Sequence, residues 1–179
     1  MTAPLPVLLD TCTVLSLYAS RHMEPILHAN LGPFLIAEAV LYETLYVHVI
    51  VDDAREKEPV SLDPLLTAGI LMPVEPETEQ EFQTLIDLSQ HLDAGEAMTC
   101  ALAIHRGYRI ATDEKKTIRL LGNQIPIIGT LDLVRAWVDQ TGVPPMLVRE
   151  VLAAIEDRGY VPGDTHAHYA WWAESRGGR

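Results

Sequence analysis

Short apolar runs alternate with longer segments of helical pattern along this chain of 179 residues, and this alternation constrains the fold more than any other feature. The apolar runs have the length of buried strands, which we predict over 6–9, 34–36, 70–74, 108–112 and 126–128. The segments between and after them predict helices over 13–20, 23–30, 38–50, 61–68, 77–91, 94–106, 114–121 and 130–140. Strands that alternate with helices form a mostly parallel sheet with helices on both faces, so the sequence predicts a three-layer α/β/α fold.

Four acidic residues lie where ordinary surface charge is not expected. Asp10 ends the apolar run Val7-Leu-Leu, and Asp113 ends the predicted strand 108–112. Glu43 lies inside an apolar stretch that we predict to be helical, and Glu96 begins a helix of small residues. The carboxyl ends of parallel strands are where α/β proteins bind ligands, so we expect these acids to converge there. They are called the acidic cluster below.

Converging carboxylates favour a divalent cation as their partner. Without a cation several such groups could not all stay ionised, and the pKa of some would rise. Mg²⁺ is satisfied by one or two carboxylates, several waters and a substrate phosphate, so the acidic cluster suits one or two Mg²⁺ or Mn²⁺ ions. Such ions can activate a water and stabilise the charge that develops when a phosphodiester is hydrolysed.

Each acid also has a structural explanation when it is taken alone. Asp10 could cap a helix that begins near Thr13, and Asp113 could cap the helix 114–121. Glu96 could be a first-turn acid that interacts with the helix dipole. Glu43 has no basic residue at helical spacing. All of them occurring together at strand ends and helix starts favours a shared pocket.

Composition places the chain among globular proteins of one domain. It is 48% hydrophobic and 21% charged, and it has neither a run of 18 apolar residues nor a signal-peptide pattern, which predicts a cytoplasmic protein without a membrane segment. In that compartment Cys12 and Cys100 are expected to be reduced.

The net charge of −12 is unusual for a protein that binds nucleic acid, but it is local. Residues 52–96 hold twelve acids and two bases, a net of −10, whereas 106–119 hold five bases against two acids. Lys115, Lys116 and Arg119 follow Asp113 on one predicted helix, where a phosphate backbone could lie, although a solvated helix face is the simpler explanation. These three residues are called the basic face below.

The sequence resembles the PIN-domain family of metal-dependent ribonucleases, many of which are toxins of type II toxin–antitoxin pairs. The resemblance is carried by Val7-Leu-Leu-Asp10-Thr, by Glu43 after an apolar strand, by Asp93-Ala-Gly-Glu96-Ala and by Ala111-Thr-Asp113. The Gly-Glu-Ala form is similar to one PIN-like subgroup, and the third acid, often Asp in the family, is Glu96 here. The resemblance implies a PIN-like domain over 1–140. The sequence pattern after it predicts helices at 146–157 and 164–175, so we expect 141–179 to be a C-terminal helical extension packed on the same domain.

The resemblance further implies a Mg²⁺- or Mn²⁺-dependent endoribonuclease that hydrolyses RNA by metal-activated water. The acidic cluster would be both the catalytic and the metal-binding set. Around it the resemblance suggests Thr11 and Thr112 as outer residues. Asp93 and Glu114 are close to the acidic cluster in sequence and could also be outer residues, and the local positive charge of the basic face makes it a candidate RNA contact. The implied partners are RNA and an antitoxin protein, no membrane is involved, and a homodimer is left open.

Two other function classes remain open at this point. The first is a catalytically weak PIN-like module for protein interaction, which metal-dependent cleavage would distinguish from an enzyme. The second is a phosphatase or phospho-receiver domain of related topology, which is disfavoured because no Asp-x-Asp-x-Thr or paired aspartates follow the first strand.

Overall fold

A parallel five-stranded sheet forms the centre of the fold in the computed structural model, which describes residues 4–30, 32–43, 45–51 and 54–177. The strands lie in the order β5-β2-β1-β6-β7. Their bounds are β1 (Val7–Leu9), β2 (Phe34–Ala37), β5 (Leu71–Val74), β6 (Arg109–Ala111) and β7 (Ile127–Ile128), and a separate antiparallel hairpin pairs β3 (Tyr46–Val51) with β4 (Ala54–Pro59). The described helices are α1 (Thr11–Ala19), α2 (Met23–Ala29), α3 (Glu38–Tyr42), α4 (Asp63–Thr67), α5 (Glu79–Leu88), α6 (Ala94–Arg106), α7 (Lys115–Leu121), α8 (Thr130–Thr141), α9 (Pro145–Arg158) and α10 (Tyr169–Ser175).

This architecture confirms the predicted three-layer α/β/α class with a mostly parallel sheet. Val7, Leu8 and Leu9 of the middle strand are all fully buried. A strand covered on both faces loses the alternation of apolar and polar residues, which is why β1 and β2 are continuous apolar runs.

The chain divides into two compact units. The first takes its described residues from Met1–Val14, Leu31–Thr44 and Ser61–Thr130, and it contains the whole parallel sheet with α3 to α7. The second takes them from Leu15–Asn30, Leu45–Val60 and Leu131–Arg179, and it contains α2, the β3–β4 hairpin, α9 and α10. Within the second unit the Arg176 guanidinium pairs with Glu156 at 2.7 Å, which ties the end of α10 to α9.

The predicted helix 38–50 is wrong. Of the residues that the structure describes in this range, only α3 (Glu38–Tyr42) is helical, and β3 (Tyr46–Val51) pairs with β4 instead. Valines alternate along β3, and β-branched residues fit a strand better than a helix. The partner strand Ala54–Pro59 is mostly charged and carries no apolar signal, so the hairpin could not be recognised from its hydrophobic pattern.

Other boundaries differ in smaller ways. The last helix begins at Tyr169 rather than at 164, and α1 begins at Thr11, immediately after Asp10. Helix α6 ends as predicted at Arg106, and the φ of 65° at the next residue, Gly107, is left-handed and favours glycine. Both cysteines, Cys12 and Cys100, are free, as predicted. None of the helices in the described part of the chain has the length and apolar character needed to cross a bilayer.

Candidate metal centre

Two neighbouring strands deliver the first and last acids to one edge of the sheet. Strand β1 pairs in parallel with β6, and Leu9 is level with Ala111. Asp10 directly follows Leu9, and Asp113 is two residues beyond Ala111, so both acids leave the sheet at the same end. There the Asp10 N–H donates to the Ala111 carbonyl at 3.1 Å. The predicted convergence of strand ends is therefore present on the β1–β6 side.

Asp10 is buried, with 3% of its surface exposed, and both of its carboxylate oxygens accept hydrogen bonds. Oδ1 accepts from the Thr11 N–H at 2.8 Å, and Oδ2 accepts from the Thr112 hydroxyl at 2.6 Å and from the Cys12 thiol at 3.4 Å. Burial raises the pKa of Asp10, the three hydrogen bonds oppose that rise, and the negative charge of Asp93 adds to it. Asp10 does not bond the N–H groups deeper in α1 through its side chain, so local capping does not account for its burial.

Glu43 lies just after α3 and is half-buried. Its Oε2 accepts from the Thr11 hydroxyl at 3.0 Å, and its carboxylate also accepts from the Gly95 N–H. Burial is the largest cause of its raised pKa, and the negative charges of Asp93 and Asp10 add to the rise. Thr11 thus links the segments that carry Asp10 and Glu43.

Asp93 and Glu96 form a reciprocal cap at the start of α6. Asp93 Oδ1 accepts from the Glu96 N–H at 2.8 Å, and Glu96 Oε2 accepts from the Asp93 N–H at 3.4 Å. The pKa of Glu96 is nevertheless raised, first by burial and then by the charges of Asp93, Asp10 and Glu114. Glu96 therefore has both the capping role and the electrostatic contact with the other acids.

Asp113 has a different setting. Its carboxylate accepts from the Thr130 N–H, at 3.1 Å from Oδ1 and 3.4 Å from Oδ2. The residue that caps α7 is Glu114, which accepts from the Lys116 N–H at 3.3 Å. Asp113 is connected to Asp10 through Cys12, since its own N–H donates to the Cys12 sulfur at 3.4 Å.

Cys12 and Gly95 are site residues that the sequence did not reveal. The Cys12 thiol lies among Asp10, Thr112 and the Asp113 N–H, and burial together with the Asp10 charge raises its pKa to about 12. The available signals were the position of Cys12 two residues after Asp10 and a glycine in the first turn of a helix, where glycine is disfavoured.

The donor set suits a hard divalent cation. All the acids offer carboxylate oxygens, which Mg²⁺ and Mn²⁺ prefer, and three of them have pKa values raised by burial and by neighbouring negative charge. Among residues 4–30, 32–43, 45–51 and 54–177, no group of three or more His, Cys, Asp or Glu has the arrangement of a metal site. The residues have the chemistry and the charge to bind a cation, but their side chains are not arranged as a complete set of metal ligands.

The basic face lies on α7, directly after Asp113. Lys115, Lys116 and Arg119 are all exposed, and the spacing of four residues places Lys115 and Arg119 on one side of the helix. Lys116 differs from the other two because its ammonium donates to the backbone carbonyl of His91. Lys115 and Arg119 are thus the better placed of the three for an external phosphate.

Comparison with known proteins supports the resemblance inferred from the motifs. A family model described as a PIN domain matches residues 6–168, which includes the acidic cluster and continues beyond residue 140. A comparison with curated proteins gives no match. PIN domains are nuclease-type domains, generally hydrolases that use divalent metal ions. With the family model covering most of its length, this chain belongs to the PIN-domain family.

Proposed function

We propose that this protein is a Mg²⁺- or Mn²⁺-dependent endoribonuclease whose metal ligands are Asp10, Glu43, Glu96 and Asp113. The observation that carries the proposal is that Asp10, Glu43 and Glu96 lie close enough for the charge of Asp10 to raise the pKa of both glutamates. Each of the three has a raised pKa, and the charge of Asp93 contributes to all three rises. Such a concentration of negative charge on one buried and two half-buried carboxylates is costly unless a cation offsets it.

The neighbouring hydroxyls would orient the ligands. The Thr112 hydroxyl donates to one oxygen of Asp10, and the Thr11 hydroxyl donates to one oxygen of Glu43. A carboxylate has about four acceptor sites, so both acids keep lone pairs that could bind a cation. When bound, the cation supplies an activated water and offsets charge on the phosphate oxygens. Asp93 and Glu114 are proposed to act from outside the ligand set, through their charge.

No protein nucleophile is required. Cys12 is the thiol of the site, and a pKa of about 12 keeps it protonated at neutral pH, where a thiol is a poor nucleophile. Its role in the proposal is to donate a hydrogen bond to Asp10 and to accept one from the Asp113 N–H.

RNA is the proposed substrate, and the basic face is its proposed backbone contact. Phosphates that approach a chain of net charge −12 need a local cationic surface, and Lys115 and Arg119 offer one close in sequence to Asp113. A toxin role with a protein antitoxin, and a cytoplasmic location, are part of the proposal because PIN nucleases often act in such pairs.

Cleavage of mixed RNAs with Mn²⁺, Mg²⁺ or EDTA tests the proposal. The wild-type protein should cleave with either ion and not with EDTA, and Asp113→Asn should abolish cleavage. The fold of that variant should persist because the asparagine oxygen can still accept from the Thr130 N–H. Full activity of Asp113→Asn, at equal melting temperature, would remove Asp113 from the catalytic set.

A second candidate is a catalytically weak module for protein interaction. The reciprocal cap between Asp93 and Glu96 favours it, because capping gives both acids a structural role. Purified protein that binds a partner and does not cleave any RNA in Mn²⁺ would favour this candidate over the enzyme.

A further inference from the structure

Gly95 lies against the carboxylate of Glu43. It is the second residue of α6, and its N–H donates to the Glu43 side chain. A Cβ added at Gly95 would lie well under 3.0 Å from Glu43 Oε1, and it would also meet Val40 Cγ2 at 3.1 Å and Glu43 Cδ at 3.3 Å. The carboxylate therefore occupies the space that any side chain at this position would fill.

The backbone of Gly95 does not explain the glycine. Gly107 and Gly159 have left-handed φ angles, whereas Gly95 is helical and has none. Glycine is disfavoured in a helix relative to alanine, so its presence here requires another reason. The close approach of Glu43 supplies that reason.

We propose that Gly95 is a positioning residue that fixes the Glu43 carboxylate at the acidic cluster. This inference rests on the proposed function, in which Glu43 is a metal ligand. Two contacts would hold the carboxylate, the Thr11 hydroxyl on Oε2 and the Gly95 N–H at the start of α6. A methyl group at position 95 would displace the carboxylate, which ends a flexible side chain, and would leave the backbone in place.

A double-mutant cycle in EDTA tests the contact without metal or substrate. The variants are Gly95→Ala, Glu43→Ala and the double variant, and the measurement is urea denaturation. Gly95→Ala should be more favourable to stability in the Glu43→Ala protein than in the wild-type protein, because the carboxylate is then absent. The contact with Val40 Cγ2 at 3.1 Å and the preference of alanine for a helix are the same in both backgrounds, so they cancel in the comparison. An equal effect in both backgrounds would overturn the inference.

A second experiment tests the consequence for metal. Gly95→Ala should raise the Mn²⁺ concentration for half-maximal RNA cleavage by about tenfold or more, as is usual when a residue that orients a ligand is removed. It should also reduce the rise in melting temperature on adding Mn²⁺, while RNA affinity in EDTA stays unchanged. Gly163→Ala is the matched control, since a Cβ there meets no atom within 4 Å and the backbone is not left-handed.

The outcomes separate this inference from the proposed function. Gly95→Ala that responds to Mn²⁺ like Gly163→Ala would overturn the positioning role. Wild-type protein that neither cleaves RNA nor responds to Mn²⁺ would overturn the proposed function, and the cycle in EDTA would still decide whether Glu43 occupies the space beside Gly95.

Discussion

Asp93 and Glu96 bond each other at the start of α6, and single substitutions can separate their roles. Asn remains a good helix cap, so Asp93→Asn should keep the cap to the Glu96 N–H. We expect Asp93→Asn to reduce Mn²⁺-dependent cleavage much less than Glu96→Gln, which removes a proposed ligand charge. The measurement is kcat/KM for one RNA under identical Mn²⁺ concentrations.

The pH profile of the same variant adds a second test. The Asp93 charge raises the pKa of Asp10, Glu43 and Glu96, so its removal should extend cleavage to lower pH. If Asp93→Asn is instead more damaging than Glu96→Gln, Asp93 is the ligand and Glu96 the cap.

The acids at strand ends could be predicted from sequence, whereas their partners could not. Asp10 and Asp113 each follow an apolar run, and this local pattern is sufficient to indicate a strand end. The Thr112 hydroxyl on Asp10 and the Gly95 N–H on Glu43 depend on contacts across many residues, which local patterns do not contain. Glu43 was predicted as a site residue although the helix predicted around it is wrong.

Helices α5 and α6 are joined by an ion pair that is distinct from the acidic cluster. Glu81 is 2% exposed, and Oε1 accepts from Arg106 Nε at 2.6 Å. Glu81 also caps its own helix by accepting from the N–H groups of Glu77 and Thr78, and with Arg106 these bonds lower its pKa to about 2. This pair should position α6, which carries Gly95 and Glu96.

Glu81→Gln should therefore destabilise the protein. It replaces the charged acceptor with a neutral amide, so Arg106 loses its buried countercharge, and a hydrogen bond to a charged group contributes roughly 1.5–3 kcal/mol. Glu79→Gln is the control, because it makes the same change at an exposed position of the same helix. Urea denaturation in EDTA measures both. Equal free energies of unfolding for the two variants would show that the pair contributes nothing net.

The basic face should bind RNA through Lys115 and Arg119 more than through Lys116. Replacing Lys115 and Arg119 with alanine should flatten the salt dependence of RNA binding by roughly 0.7 in slope for each phosphate that the variant no longer binds. Lys116→Ala should change it less, since Lys116 already donates to the His91 carbonyl. Fluorescence anisotropy with Asp113→Asn protein at several salt concentrations measures the slopes. An unchanged slope in the double variant would make α7 a solvated face only.

A proline inside strand β5 shows what the pattern of hydrophobic residues does not contain. Pro73 lies within β5 and is level with Ile36. Strand β5 is at the edge of the sheet, where a residue without an N–H is tolerated. Whether a strand lies at the edge or in the centre of a sheet depends on the topology of the whole sheet. The sequence of the strand alone therefore does not predict whether it tolerates a proline.

At the scale of the whole molecule, cation binding should stabilise the native state. A ligand that binds only the folded protein adds RT ln(1 + [L]/Kd), or about 2.7 kcal/mol at a hundredfold excess over Kd. The melting temperature should rise with Mn²⁺, and rise less for Asp113→Asn. A wild-type melting temperature that does not respond to millimolar Mn²⁺ would contradict the proposed metal centre.

The metal-free protein should be most stable at mildly acidic pH. Asp10, Glu43 and Glu96 have folded pKa values above the ordinary values of 3.8 and 4.5, so their contribution to stability is lost as pH rises through the folded values. Glu81 acts in the opposite direction, because its stabilisation is present above 4.5 and is lost as pH falls toward about 2. Thermal unfolding in EDTA across this range tests the profile, and Mn²⁺ should remove the decline toward neutral pH. Stability that increases from mildly acidic to neutral pH in EDTA would contradict the crowding of these carboxylates.

We propose a PIN-like domain over 1–140 with a helical extension over 141–179. The family match ends at residue 168 and so includes α9. Limited proteolysis near residue 140 would show whether the first part persists alone.

The bond between Thr112 and Asp10 spans 102 positions of sequence, and this has a consequence for synthesis on the ribosome. At 5–20 residues per second, Thr112 is added about 5 to 20 s after Asp10. Strand β6 must then emerge before it can pair with β1. Throughout that interval Asp113 has not been added, so the polypeptide lacks at least one of the four acids. If the proposed function holds, the protein cannot cut the message from which it is being translated until most of its chain has been made.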